Sequence, residues 1–174
     1  MYGFTINRGF SNKQKAERII SHQNVYCVNN MIHKFEGDKI FYEDADCIII
    51  LDGVFLNKKE FCKNSSWEQS VKNLYHSEGE TFFKLFRGSF AGAFYDKECD
   101  RWTIFTDQLG QKFFYYYFDG KRFCCSSMMV EIYDILRENN IEYNFDNKAA
   151  YMLLTYGFML EDNSMQRNKE NTSG

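Results

Sequence analysis

Residues 87–127 constrain the fold more than any other stretch: RGSFAGAFYDKECDRWTIFTDQLGQKFFYYYFDGKRFCCSS. Four short apolar runs, over 89–95, 101–106, 113–118 and 122–126, alternate with polar turn signals. Runs of this length, rich in aromatics and bounded by Asp and Gly, predict strands folded back on one another. Residues 96–100 form a polar hairpin loop of ordinary length. Asp119-Gly120 supplies the dipeptide of a tight hairpin turn whose two central residues both need positive φ. Ser89, Ala91, Gly92 and Ala93 are small, which suits a strand closely approached by another backbone or sheet.

A chain of 174 residues is one domain by length, and at this size about 70% of the surface of the unfolded chain is buried on folding. Aromatic content of 18% favours pleated, half-buried surfaces. The net charge of −3, spread without blocks of one sign, excludes a basic nucleic-acid footprint and implies no nucleic-acid partner. No run of about 20 apolar residues predicts a membrane helix, and the N-terminal residues lack the layout of a signal peptide, so a cytoplasmic location is expected. The six cysteines then read as reduced thiols. They contain no C-x-x-C pair, and they fit small core hydrophobes. His22, His33 and His76 lack metal spacing, so no metal or cofactor is expected. Proline is absent, which removes the strongest helix stops.

Read in order, the chain opens on a short strand over 1–6. A polar segment follows, with a helical patch over 16–20. Strands are expected over 24–30 and 39–42, with a turn at 36–38. Residues 47–51 are continuously apolar and predict a strand buried on both faces. Asn57 is placed to cap a helix over 58–63. Ser65 or Ser66 caps the next, with Glu68 or Gln69 completing a capping box. Trp67, Val71, Leu74 and Tyr75 then fall on one helical face. Gly79 interrupts it before a second apolar helical piece over 81–86. Met129, Ile132, Tyr133 and Leu136 share a face of a helix within 126–140. Asn144 or Asp146 caps a last helix over 148–156, closed by Gly157. The domain is expected to end near residue 160, with residues 161–174 a polar, disordered tail.

The ordered set RGSFAGAFYD, TDQLGQK and FFYYYFDGKRFCCSS resembles the second half of a class II glutamine amidotransferase domain, the N-terminal domain of asparagine synthetase-like proteins. DGVFLN at 52–57 is similar to the N-G-E-I-Y-N segment of that family. Residues 150–158, AYMLLTYGF, resemble the segment with which the synthetase half begins. The likeness ends near Asp162, and the S-G-G-x-D motif for ATP is absent. The resemblance implies an α+β fold, a four-layer α/β/β/α sandwich of the Ntn-hydrolase type. It also implies a partner: a synthetase-type domain or protein, in cis or in trans.

What the resemblance implies about chemistry conflicts with several residues. The family pattern opens Met-Cys-Gly, and the exposed Cys thiol attacks the glutamine amide with its own α-amine as base. Here Tyr2 occupies that position, and a phenol with pKa near 10 is a poor nucleophile at neutral pH. Thr5, the nearest hydroxyl, has no evident base. In the family the Asn side chain and Gly amide of N-G-E form the oxyanion hole. Asp52 replaces that Asn, and an ionised carboxylate cannot donate to a developing oxyanion. Gly53 is kept. Val54 replaces the Glu that helps hold the substrate amine, and Trp67 replaces the Asp that binds it. The family's carboxylate-holding arginine has no aligned counterpart; Arg8 and Arg18 are unaligned candidates for it that otherwise read as solvated surface charges. The expectation is an amidotransferase-like domain without glutaminase activity, in a structural or partner-supporting role. Two alternatives remain: a working amidohydrolase supplying ammonia for asparagine-synthetase-type amide formation through Cys27 or Cys47, and an amino-acid-binding module lined by the aromatic run 113–118.

Overall fold

The computed structural model describes residues 3–11, 18–30, 34–112, 114–156 and 166–168. In chain order the elements are β1 (Gly3–Arg8), β2 (Arg18–His22), β3 (Val25–Asn30), β4 (Ile40–Glu43), β5 (Cys47–Phe55), α1 (Lys58–Phe61) and α2 (Trp67–Glu78). After a 3-10 segment over Gly79–Leu85 come β6 (Gly88–Asp96), β7 (Arg101–Thr106), β8 (Tyr115–Phe118), β9 (Phe123–Ser126) and α3 (Met129–Glu138). The chain continues through β10 (Tyr143–Phe145), α4 (Asn147–Tyr156) and β11 (Gln166–Asn168). It divides into two compact units, residues 1–132 and 133–174.

The first unit holds two antiparallel sheets. One runs β2-β3-β1-β9-β8, the other β4-β5-β6-β7. The fold is therefore α+β, as the sequence implies. Alternation along β5 shows how the layers form. Ile48 and Ile50 enter a core shared with Phe4, Ile6, Ile20, Cys27, Phe41, Ala93 and Cys125, which lies between the sheets. Ile49, Leu51 and Phe55 enter a second core with Trp67, Val71, Tyr75, Phe82, Phe86, Phe90 and Phe94. That core joins the four-stranded sheet to α2 and the 3-10 segment. The apolar run 47–51 is thus buried on both faces. Complete burial of each such side chain contributes about 1.5–3 kcal/mol.

Aromatic packing fills the helix-side core. Tyr75 stacks on Phe94 with ring centres 3.9 Å apart, and Phe55 stacks on Phe90 at 4.9 Å. Ser66 caps α2 by accepting a hydrogen bond from the Gln69 N–H at 3.2 Å. Gly79 ends the helix at φ +63°. The face expected from Trp67, Val71, Leu74 and Tyr75 is the one that packs into this core.

Three local expectations fail for identifiable reasons. The helical patch over 16–20 is strand where it is described, because Arg18–His22 pairs with β3. Only Ile20 of its first four residues is buried, and Gln23 turns the chain at φ +51°. Asn57 stands at the start of α1 but makes no cap hydrogen bond. Its carboxamide is claimed instead by Leu85 and Arg87. Asp119-Gly120 is not a two-residue turn. Phe118 pairs with Phe123, which leaves a four-residue loop with positive φ at Gly120 but not at Asp119. The Asp119 carboxylate closes that loop by accepting from the N–H groups of Lys121 and Arg122.

In the second unit, β10 and β11 pair antiparallel, so residues 166–168 form a strand within the stretch expected to be a disordered tail. Asp146 caps α4 through the Lys148 N–H at 2.9 Å. Gly157 lies outside the described residues.

Candidate functional site

Asp52, Gly53 and Val54 lie at the end of β5, paired with Ala91, Phe90 and Ser89 of β6. Asp52 shares the strand face of Ile48 and Ile50, which looks toward the five-stranded sheet. Its side chain is 15% exposed and meets two ammonium groups. Lys39 Nζ lies 3.1 Å from Oδ1. Lys112 Nζ donates to Oδ2. Lys39 directly precedes β4, and the pairing of Ile40 with Leu51 brings it opposite Asp52.

Lys112 is delivered by the loop that follows β7. Asp107 builds this loop, accepting the N–H groups of Leu109 at 3.0 Å, Gln111 at 3.1 Å, Lys112 at 3.2 Å and Phe90 at 3.3 Å. Burial pushes the Asp107 carboxyl up. The four backbone donors more than offset this and hold it below the ordinary carboxylate value. The TDQLGQK motif is therefore an Asp-centred loop with Lys112 at its exit.

Gly53 is required by space. At φ +152°, a Cβ there would run into the Ser89 carbonyl and lie 2.6 Å from Phe90 Cα. Gly88 faces the same constraint against the Val54 carbonyl. The β5–β6 pair is thus tight where the two strands meet the site. Just beyond it, Asn57 clamps the chain to Leu85 and Arg87.

The remaining candidates are not brought to Asp52. Tyr2 and His33 lie outside the described residues. Thr5 is buried on the other face of the five-stranded sheet, its hydroxyl 2.9 Å from that of Ser126. Trp67 is a packing residue. Its indole N–H donates to the Asp38 carbonyl at 3.0 Å, and its ring lies against Phe55 and Phe86. Val54 is half-buried. Arg8 pairs with Asp100, and Arg18 donates to the Phe41 carbonyl. His22 stands 3.7 Å from Glu43, and His76 is exposed on α2.

Neither proposed alternative nucleophile is activated. Burial pushes the Cys27 thiol well up, and the nearby Glu43 adds to the effect. Cys47 is pushed up to about 12, first by burial and then by Asp44. Thiolate is scarce at neutral pH at such values. The aromatic run is half open where described, with Tyr116 and Phe118 exposed. Among the described residues no His, Cys, Asp or Glu group could hold a metal ion.

A cleft of about 620 Å³ lies at the other end of the β5–β6 pair and is lined in part by Asp46, Cys47, Lys72, Tyr75 and Asp96. Its charges are compensated internally. Lys72 bridges Asp44 at 2.8 Å and Asp46 at 2.5 Å, and the Tyr75 hydroxyl donates to Asp96. Sequence reasoning identified the Asp52 position but not its partners Lys39 and Lys112. The signal for Lys112 was the basic residue that ends the D-x-x-G-x-K pattern. Lys39 carried none.

Comparison with known proteins matches residues 30–134, more than half of the chain, to a family model described as a glutamine amidotransferase domain. The chain is also 30% identical over 150 residues to a Methanocaldococcus jannaschii protein named as a candidate asparagine synthetase (glutamine-hydrolysing) 2. That alignment covers 79% of this chain and 29% of the relative, so the chain spans less than a third of the relative's length.

Proposed function

The chain belongs to the glutamine amidotransferase domain family, and on that premise we propose that it keeps the scaffold of the domain without its glutaminase chemistry. One observation carries the reading. The residue at the oxyanion position is the carboxylate Asp52, held between two ammonium groups. A carboxylate in such ion pairs only accepts hydrogen bonds. An oxyanion forming there would meet negative charge instead of a donor. Loss of one such donor alone slows acyl transfer by about 100- to 1,000-fold. Tyr2 at the nucleophile position, Val54 and Trp67 support the same reading.

The role that remains is to support a synthetase-type domain or protein, in cis or in trans. The relative's name and its greater length support this partner. We also propose the full four-layer sandwich. Thr5, Asn7, Cys124 and Ser126 lie on the face of the five-stranded sheet turned away from its partner sheet, and all four are buried, which supports a covering layer there. No described helix is long and apolar enough to cross a membrane, in keeping with the proposed cytoplasmic location.

The test is glutamate release from glutamine by the purified chain, beside Tyr2→Cys with its N-terminus verified by intact mass. No release from the wild-type protein is expected. Release by the protein carrying Tyr2 would overturn the reading. Release by Tyr2→Cys alone would show that the remaining site is competent and that Asp52 is not the block.

A further inference from the structure

Building on the placement of Asp52 at the oxyanion position, we propose that Asp52 is an internal anion seated in a two-lysine anion site. The chain's own carboxylate closes the place where an external oxyanion would otherwise bind.

The site is built from three separate segments. Lys39 approaches from the residue before β4, Asp52 from the end of β5, and Lys112 from the loop after β7. Lys39 and Asp52 are largely withdrawn from water, at 12% and 15% side-chain exposure. A carboxylate so placed without cations would be strongly disfavoured, and its two partners offset that cost. The backbones that carry the two lysines are also placed independently of Asp52. Lys39 is set by the β4–β5 register. The backbone of Lys112 is set by its bond to Asp107. Removing the charge of Asp52 therefore leaves two ammonium groups within reach of one point.

The intramolecular carboxylate outcompetes small external anions because it pays no cost of association. With its charge removed, the site should accept a small oxyanion, a carboxylate or a phosphate, through charge-assisted hydrogen bonds from the two ammonium groups.

The experiment uses the full chain as wild type, Asp52→Asn and Asp52→Asn with Lys112→Gln. Each is titrated at constant ionic strength with inorganic phosphate and, separately, with acetate. Backbone amide shifts of residues 107–112 give the readout. Asp52→Asn should bind one or both anions at least about tenfold more tightly than wild type, and the added Lys112→Gln should abolish the gain. Tighter phosphate than acetate would assign the site to phosphate-type ligands, and the reverse to carboxylates. A folded Asp52→Asn that binds neither anion better than wild type would overturn the proposal, as would a gain that survives Lys112→Gln. Should Asp52→Asn not fold, Asp52→Ser removes the same charge with less bulk. Glutamate release by the wild-type protein would overturn the reading of lost hydrolysis and leave these anion titrations intact, so the two failures are distinct.

Discussion

The Asn57 carboxamide spans the two peptide links that flank Phe86: Oδ1 accepts the Arg87 N–H at 2.9 Å, while Nδ2 donates to the Leu85 carbonyl at 2.9 Å. A further bond, from the Leu56 N–H to the Arg87 carbonyl at 2.8 Å, reinforces the clamp. Together they tie the exit of β5, the strand that carries Asp52 and Gly53, to the entry of β6. Asn57→Ala leaves a backbone donor and a backbone acceptor without partners and should destabilise the protein by about 1–3 kcal/mol. Urea denaturation should show a lower midpoint at unchanged m-value. A change below about 0.5 kcal/mol would mean that solvent replaces both bonds.

Gly53→Ala should be worse. The added methyl group meets β6 backbone, which cannot rotate away, and the φ of +152° is strained for any L side chain. The expected loss is about 3 kcal/mol or more. Gly37→Ala is the matched control, because nothing lies within 4 Å of its added Cβ. It should fall within about 0.5 kcal/mol of wild type. Equal effects at the two positions would contradict the close approach of β5 and β6.

Asp107 gives a signed dependence on pH. Its folded carboxyl titrates below the usual 3.8 because its backbone donors outweigh burial. A depressed acid stabilises the fold above its unfolded pKa, and that stability is lost as pH falls through the folded value. Asp107→Asn should therefore cost stability at pH 6, with the gap to wild type narrowing below about pH 4. Denaturation midpoints of both proteins between pH 6 and 3 check this. A gap constant across that range would assign the effect to packing instead of charge.

Thiol chemistry tests the inactive core cysteines. Cys99 is exposed, whereas Cys27, Cys47, Cys124 and Cys125 are buried. Burial comes first among the causes that raise each of these four thiols. In the native protein Cys99 should be alkylated at the rate of a free thiol. The four buried thiols should react at least about a thousandfold slower, because reaction requires opening of the fold. Rapid labelling of Cys27 or Cys47 would revive an alternative nucleophile.

The sequence disclosed the strands best where alternation and burial agreed. The run 101–106 matches β7 residue for residue, and 47–51 is buried on both faces, because such a strand has no polar face to confuse the pattern. It failed where a few residues supported two periods. Arg18-Ile19-Ile20 suits a helix turn as well as a strand, and only pairing with β3 decides between them. Side chains that act at a distance were also hidden. Asn57 is a capping residue by local rules, yet its partners lie 28 and 30 residues further on. At the site, the departure from the family pattern was legible in the single letter Asp52. The lysines that hold it were not, because their approach depends on strand register and on a loop folded around Asp107.

The position of β1 has a consequence for the order of assembly. This strand is the first of the described elements, yet it lies between β3 and β9 in its sheet, with Thr5 facing Ser126. Ribosomal synthesis delivers one flank of β1 promptly and the other only after some hundred and twenty further residues, at about 5–20 residues per second. Until then β1 carries an open hydrogen-bonding edge beside apolar side chains, a template for unwanted pairing between nascent chains. A polypeptide released before residue 126 lacks the strand that seals that edge. Such fragments should be targets of chaperones and proteases, and the folded domain should emerge only after its last long-range partner has been made.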